Sequence, residues 1–312
     1  MLVSILIPCY NAERFIAQAI ESALAQTWPE KEVIVVDDGS TDGSLAVIQG
    51  FGGAIRFETR PNQGGNRARN RLLALANGRW VQYLDADDYL LPDKVAQQMA
   101  FLGGHPETDI VFGPITIDHW SEAGSRLELV PIPERLDHWI LLARWFLPQT
   151  GAPLWRKDAI TAVGGWKDDQ LTCQEHELYL RLLQAGRRFE YCPSNGAVWR
   201  IWGDRSLSKR DRSGVRTRRL AIEQGAEEFL TARGRLTPER RHAINRARFD
   251  LARVAWREGD LEGARAAHAA LQHSDPAFRP VGEPLVYQLM WRWLGFETTE
   301  VVAQWRRRWL KR

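Results

Sequence analysis

Four short strand-like stretches, at residues 3–7, 33–36, 55–59 and 81–84, the first, second and fourth of them mostly apolar, constrain the first hundred residues most strongly. They read as strands, and helical patterns separate them. Phe15, Ile16, Ala19, Ile20, Ala23 and Leu24 recur at helical spacing, residues 44–49 form a shorter helical stretch, and residues 67–76 a third that Asn77-Gly78 ends. Pro92 opens another helix. Mostly apolar strands alternating with helices need a sheet covered on both faces. The order predicts an α/β domain with a mostly parallel, Rossmann-like sheet and helices on both faces.

The fourth run ends abruptly in Asp85-Ala86-Asp87-Asp88. Ligands of an open α/β sheet sit at the carboxyl ends of its strands, so carboxylates placed there face a pocket. Two such groups one residue apart suit a hard divalent cation, which takes oxygen ligands and shares them with phosphates. An isolated Asp-x-Asp is more often a solvated acidic turn, but this one stands among other motifs.

Length and charge suggest two bodies. At 312 residues the chain is long enough for about two domains. Residues 1–204 carry 19 Lys and Arg against 26 Asp and Glu, a net −7, whereas residues 205–312 carry 23 against 13, a net +10. The first stretch divides into an α/β half (1–104) and a less regular half (105–204), with strand-like pieces at 110–112 and 115–117 and helical stretches at 139–146 and 177–184. From 205 onward the pattern is helical. There Ala255-Trp256-Arg257-Glu258-Gly259-Asp260, Ala264, Leu271 and Pro276 resemble one tetratricopeptide unit, too few for an independent array, so a helical hairpin is expected. Cys9, Cys173 and Cys192 are odd in number, lack Cys-x-x-Cys spacing and argue against a disulfide or structural-zinc scaffold. The first apolar run is too short for a signal peptide, and no stretch reaches the roughly 20 apolar residues of a membrane-spanning helix. The expected location is cytoplasmic.

Read together, the motifs carry more than any one of them. Ile7-Pro8-Cys9-Tyr10-Asn11 ends the first strand, Val36-Asp37-Asp38-Gly39-Ser40 the second, Asn62-Gln63-Gly64-Gly65 leads into Arg67-Ala68-Arg69-Asn70, and Leu84-Asp85-Ala86-Asp87-Asp88 ends the fourth. This ordered series resembles the family 2 glycosyltransferases over roughly residues 3–205. The resemblance implies the GT-A fold, a nucleotide-sugar donor and inversion at the anomeric carbon. It places Pro8, Tyr10, Asn11, Glu13, Asp38, Arg69 and Asp85 around the nucleotide, with Asp38 accepting from a uracil-like base. Asp87, with Asp85, would hold a divalent cation, Mn²⁺ or Mg²⁺. Arg67 and Arg71 are four apart and share a helix face, so Arg69 points elsewhere, toward the nucleotide.

The family's general base is expected in the stretch Gln174-Glu175-His176-Glu177-Leu178-Tyr179-Leu180-Arg181-Leu182, and alignment of its leucines puts Glu175 at that position. A Glu replaces the usual Asp, and the first turn of a helix favours its ionised form. His176 reads as a packing or acceptor-cleft residue, and Thr150 and Trp155 as acceptor-side residues. A second departure is Trp199-Arg200-Ile201-Trp202, where the family often has Tyr-Arg-x-His: Trp202 cannot ligate a metal, while Arg200 and Ser206 remain candidates for closing over the diphosphate.

The C-terminal stretch alternates Trp291, Trp293, Trp305 and Trp309 with Arg292, Arg306, Arg307, Arg308, Lys311 and Arg312. A basic helix with interfacial aromatics suits the surface of an anionic membrane, the alternative being a helix packed on the body with solvated arginines. Gln304-Trp305-Arg306-Arg307-Arg308-Trp309 is one residue too long for the Gln-x-x-Arg-Trp motif of processive synthases. Nucleic acid is not an expected partner, since the basic residues form no known module. The partners expected are a nucleotide-sugar donor and a saccharide or lipid-linked acceptor. The competing reading is a non-catalytic binding protein that keeps the fold and uses its helices for partners.

Overall fold

The computed structural model describes residues 1–203 and 210–310, without the side chains of 307–310. The chain forms two compact units, one of Met1–His138 with Trp145–Ser206 and one of Trp139–Arg144 with Leu207–Arg312.

In the first unit the strands, in chain order, are β1 (Val3–Cys9), β2 (Lys31–Asp37), β3 (Arg56–Thr59), β4 (Trp80–Tyr83), β5 (Tyr89–Leu90), β6 (Ile110–Phe112), β7 (Ile115–Ser121), β8 (Gly124–Val130), β9 (Leu154–Arg156), β10 (Phe189–Tyr191) and β11 (Ala197–Ile201). The helices are α1 (Ile16–Leu24), α2 (Ser44–Gly50), α3 (Gly65–Leu75), α4 (Lys94–Gly103), α6 (Lys157–Ala162) and α7 (Gln174–Gln184), while α5 (His138–Ala143) lies almost wholly in the second unit. The main sheet runs β10-β6-β9-β4-β1-β2-β3. β1 is parallel to both β2 and β4, in a register that sets Cys9 beside Asp37 and Leu6 beside Tyr83. The three loops that follow β1, β2 and β4 therefore open at one edge. Ile5, Ile7, Val33 and Val35 pack with Ile16, Ala19 and Ile20 of α1, which is why these strands lack polar alternation. The one strand lying against the parallel direction is β9, antiparallel to β4 and β6.

A second sheet, β5-β11-β7-β8, fastens the segment after Asp88 to β11. Its outer hairpin, β7 with β8, extends well past the short strand expected at 115–117. β8 is almost wholly exposed, and polar residues alternate through it, so it carries no apolar run to mark it.

The second unit is helical: α8 (Arg212–Ala232), α9 (Pro238–Arg257), α10 (Leu261–Ser274) and α11 (Leu285–Leu310). Local chemistry sets the starts. Asp211 accepts from the Gly214 amide at 3.0 Å, Thr237 precedes Pro238 at the head of α9, and Asp260 accepts from the Gly263 amide at 2.9 Å. α9 and α10 form the expected hairpin, with Gly259 at φ +84° in its turn and Ala264 fully buried where the helices meet. Phe249, Ala252, Trp256, Leu271, Phe278, Trp291 and Phe296 make the core. α11 breaks at Gly295, whose φ of 74° and ψ of −179° no helix accommodates. Many of the arginines are paired: Arg216 with Asp260, Arg248 with Glu227, and Arg253 with Glu283 and the fully buried Glu300.

Candidate active site

A cleft of about 230 Å³ opens where β1, β2 and β4 end, lined by Pro8, Tyr10, Asn11, Asp38, Arg69, Asp85, Asp87 and Trp202, among others. Most of the residues expected at a nucleotide thus meet in one place. Tyr10 is half exposed at its mouth. Asn11, at φ +50°, accepts from the Thr41 amide at 2.8 Å and joins the loop after β1 to the loop after β2. Glu13 lies outside the lining, accepts from the Gly43 amide at 3.0 Å and supports the same junction.

Asp38 is buried, and its carboxylate takes the Gly64 amide at 2.7 Å and the Gln63 amide at 3.1 Å, with Arg60 at 3.7 Å. It pins the glycine loop to the end of β2. A carboxylate has about four acceptor sites, so these bonds leave capacity for a base N–H. Gly39, at φ +77°, permits this turn: a Cβ there would lie 2.7 Å from the Asn62 nitrogen.

Arg69 is the electrostatic centre. Its side chain lies on the cleft side of α3, while Arg67 and Arg71 sit on the surface, paired with Asp168 and Glu58. Arg69 Nη2 donates to Asp85 Oδ1 at 2.7 Å and Nη1 to Asn66 Oδ1 at 3.1 Å, and the guanidinium lies 5.2 Å from the Trp166 ring. Burial works against its charge, but Asp85 and then Glu175 outweigh it, and its pKa is raised. That coupling places the Glu175 carboxylate within electrostatic reach of the cleft's cation.

Glu175 stands in the first turn of α7, which begins at Gln174 after Cys173 turns the chain at φ +60°. The Thr150 hydroxyl donates to Glu175 Oε1. Thr150 is fully buried and so holds this carboxylate, offering an acceptor no surface. Trp155 is likewise fully buried, stacked on Tyr179 at 5.2 Å. Neither lines an open acceptor cleft, because α7 packs over both. His176 stacks on Trp145 at 3.8 Å. Glu177 turns away to Arg181 and Lys167.

On the other side, burial and then the Asp85 charge raise the Asp87 pKa. Asp88 Oδ1 accepts from the Arg200 amide at 2.8 Å, which makes it a structural clamp. Arg200 is itself buried, donating to the Asp87 carbonyl at 2.8 Å and to Gln18 at 2.6 Å and lying 3.6 Å from Asp118, so its guanidinium is committed to the protein. Ser206 lies outside the described residues. Sequence reasoning missed one contact altogether: Trp202 Nε1 donates to Asp87 Oδ2 at 3.1 Å.

As a cation site the donor set is small. Among the described residues no three His, Cys, Asp or Glu side chains converge to hold a metal. Asp85 and Asp87 are nevertheless hard oxygen donors, and burial, with the Asp85 charge adding to it, raises the Asp87 pKa. They fit one divalent cation whose remaining ligands come from elsewhere.

Residues 4–159 match the family model described as Glycosyl transferase family 2. A chondroitin synthase of Escherichia coli is 42% identical over 97 residues, 30% of this chain and 14% of that protein. The chain covers between 10% and 57% of the length of several curated relatives it matches. Among solved structures, Staphylococcus aureus TarS 1–349 in complex with UDP-GlcNAc superposes with a TM-score of 0.59 at 17% identity, over 91% of this chain and 98% of that one. The mannosyltransferase PcManGT of Pyrobaculum calidifontis, in complex with GDP-Man and Mn²⁺, gives 0.54 at 17% identity, over 97% and 83%. At such identities the likeness speaks to the fold, which is GT-A.

Proposed function

Because the chain belongs to glycosyl transferase family 2, we propose that it transfers a sugar, with inversion, from a UDP-sugar to an acceptor hydroxyl in the synthesis of a polysaccharide or glycoconjugate. The observation that carries this reading is the meeting of Asp38, Arg69, Asp85 and Asp87 around one cleft, with the Glu175 charge felt by Arg69. Pro8, Tyr10 and Asn11 bed the base and ribose, and Asp38 orients the base.

Glu175 takes the proton of the acceptor hydroxyl, and the Thr150 hydroxyl keeps its carboxylate aimed. The acceptor oxygen then bonds to the anomeric carbon from the face opposite the diphosphate, and the bond to the diphosphate oxygen breaks with its electron pair. Asp85 and Asp87 would hold a divalent cation, which supplies Lewis-acid stabilisation of the departing diphosphate. Arg69 keeps Asp85 in place and adds positive charge. The UDP-GlcNAc of TarS and the Mn²⁺ of PcManGT support the choice of ligands, and the chondroitin synthase relative supports a saccharide acceptor.

A membrane-surface role for α11 has its own support. Leu285, Val286, Leu289 and Trp293 form an exposed apolar arc on the segment before Gly295, with Arg292 exposed at its edge. Among the described residues no helix is long and apolar enough to cross a membrane. An exposed apolar arc edged by arginine suits the cytoplasmic face of an anionic membrane and a lipid-linked acceptor. Three cysteines outside any disulfide suit that compartment.

The test is Glu175→Gln assayed by UDP release from UDP-sugars. The expected result is at least a hundredfold lower kcat with UDP affinity unchanged; full activity would overturn the assignment of the base.

A further inference from the structure

β8 ends the second sheet, in the order β5-β11-β7-β8, so one side of its backbone meets no strand. Among the described residues, no backbone hydrogen bond from outside the β7–β8 hairpin reaches residues 124–130. An open edge is a template for another strand, and folded proteins usually blunt it with bulges, prolines, like charges or a cover. β8 runs in unbroken register with β7 from Gly124 to Val130 and holds no proline. Side chains alternate along it. Leu127 and Leu129, 58% and 53% exposed, share one face, and Arg126 and Glu128, also exposed, share the other.

This edge is complementary to itself. In an antiparallel pair of two β8 strands with Leu127 opposite its own copy, Arg126 of each chain faces Glu128 of the other, and Ser125 faces Leu129. Opposite charges directly across a seam stabilise it, and like charges destabilise it. Sliding the strands by two residues sets Arg126 against Arg126 in one direction and Glu128 against Glu128 in the other. A slide of one residue puts the leucines of one strand on the face opposite those of its copy. The charges therefore select a single register, and it closes as a twofold, isologous contact.

We propose that β8 is a dimerisation edge: a second copy of this chain adds its β8 antiparallel to the first, centred on Leu127, and the two four-stranded sheets become one. Main-chain hydrogen bonds and the leucine contact hold the seam, and the Arg126–Glu128 pairs set its register. The contact does not depend on the donor reading given above.

The experiment is sedimentation velocity of the full chain at low ionic strength across roughly 1 to 200 µM, which brackets the micromolar constant expected of so small a seam. Wild type is expected to pass from monomer to dimer over this range. R126E puts two acidic pairs across the seam and E128R two basic ones, and each should weaken the dimer about tenfold or more. A loosened hairpin would also weaken the single variants, since charges two apart on one strand become alike in both. Mixing R126E with E128R leaves those neighbours alike but makes every pair across the seam opposite again, so a heterodimer should form where neither variant associates alone. R126E/E128R should dimerise by itself, and L127D should stay monomeric with its circular dichroism unchanged. A wild type that stays monomeric throughout, leaving the edge to a different strand or to none, would overturn the dimer. So would a dimer that survives both R126E and L127D, which places the interface elsewhere, or a mixture of R126E and E128R no more associated than either alone.

Discussion

Arg69 Nη2 lies 2.7 Å from Asp85 Oδ1, and the same buried guanidinium carries the charge of Glu175 in its environment. One side chain on α3 thereby links the carboxylate at the end of β4 to the carboxylate at the head of α7. Both carboxylates act to raise the pKa of that one buried guanidinium.

Removing that charge should cost both folding and binding. Arg69→Ala strands a partly exposed Asp85 carboxylate beside Asp87, and the expected loss is about 1–3 kcal/mol of unfolding free energy, the penalty for an unsatisfied polar partner. The double variant Arg69→Ala/Asp85→Ala should recover part of it, since the two residues are in contact. Urea unfolding of the two singles and the double gives the coupling, and additive losses would show that the pair contributes nothing.

Thr150→Val keeps the shape of a buried side chain and removes the hydroxyl that holds Glu175. A typical net hydrogen bond is worth about 1 kcal/mol, so kcat should fall roughly fivefold with the KM for donor unchanged. A rise in donor KM at constant kcat would place Thr150 in donor binding instead.

Lys94 is buried, and desolvation pushes its pKa well below the ordinary value of 10.5. Its amine bonds Gln82 Oε1, and Gln82 in turn donates to the Gly151 carbonyl at 2.7 Å, next to Thr150. At a pH above its depressed folded pKa and below 10.5, the folded state holds this lysine neutral while the unfolded chain protonates it. Unfolding takes up a proton between the depressed folded pKa and 10.5, so this group's stabilisation grows as pH rises through that window and is lost as pH falls, with a slope of up to about 1.4 kcal/mol per pH unit. Lys94→Met should lack the slope. Denaturant titrations of both proteins at pH 7, 8 and 9 check it; parallel curves would mean that Lys94 is charged in the fold.

For α11, Leu289→Glu with Trp293→Glu places charge in the exposed apolar arc. Sedimentation with vesicles containing phosphatidylglycerol should pull down wild type, lose it in the double variant, and weaken as salt rises. Equal binding by both proteins would leave the arc without a role.

How much of this was legible depends on where each signal lay. β1, β2 and β4 are largely buried and show as mostly apolar runs, so the loops that gather the site could be placed. β9 and β10 are three residues each, too short to show periodicity, and β8 is exposed throughout most of its length. Within the cleft, the strand-end position indicated Asp85 and Asp87, and the resemblance to the family added Asp38 and Arg69. It could not show that Asp38 is bonded to the Gly64 amide, or that Thr150 is buried behind Glu175. The Trp202 contact joins residues 115 positions apart, brought together only because β5 pairs with β11. Such a contact has no local signature.

A nucleoside-diphosphate site at the ends of β1, β2 and β4 would need its carboxylates. Thermal unfolding with UDP, GDP, CDP and dTDP, each with and without Mn²⁺, tests it most directly, because a ligand selective for the folded state raises the midpoint by mass action. The expected result is a rise with UDP that depends on Mn²⁺ and disappears in Asp87→Ala. No rise with any of the four nucleotides at millimolar concentration would contradict it.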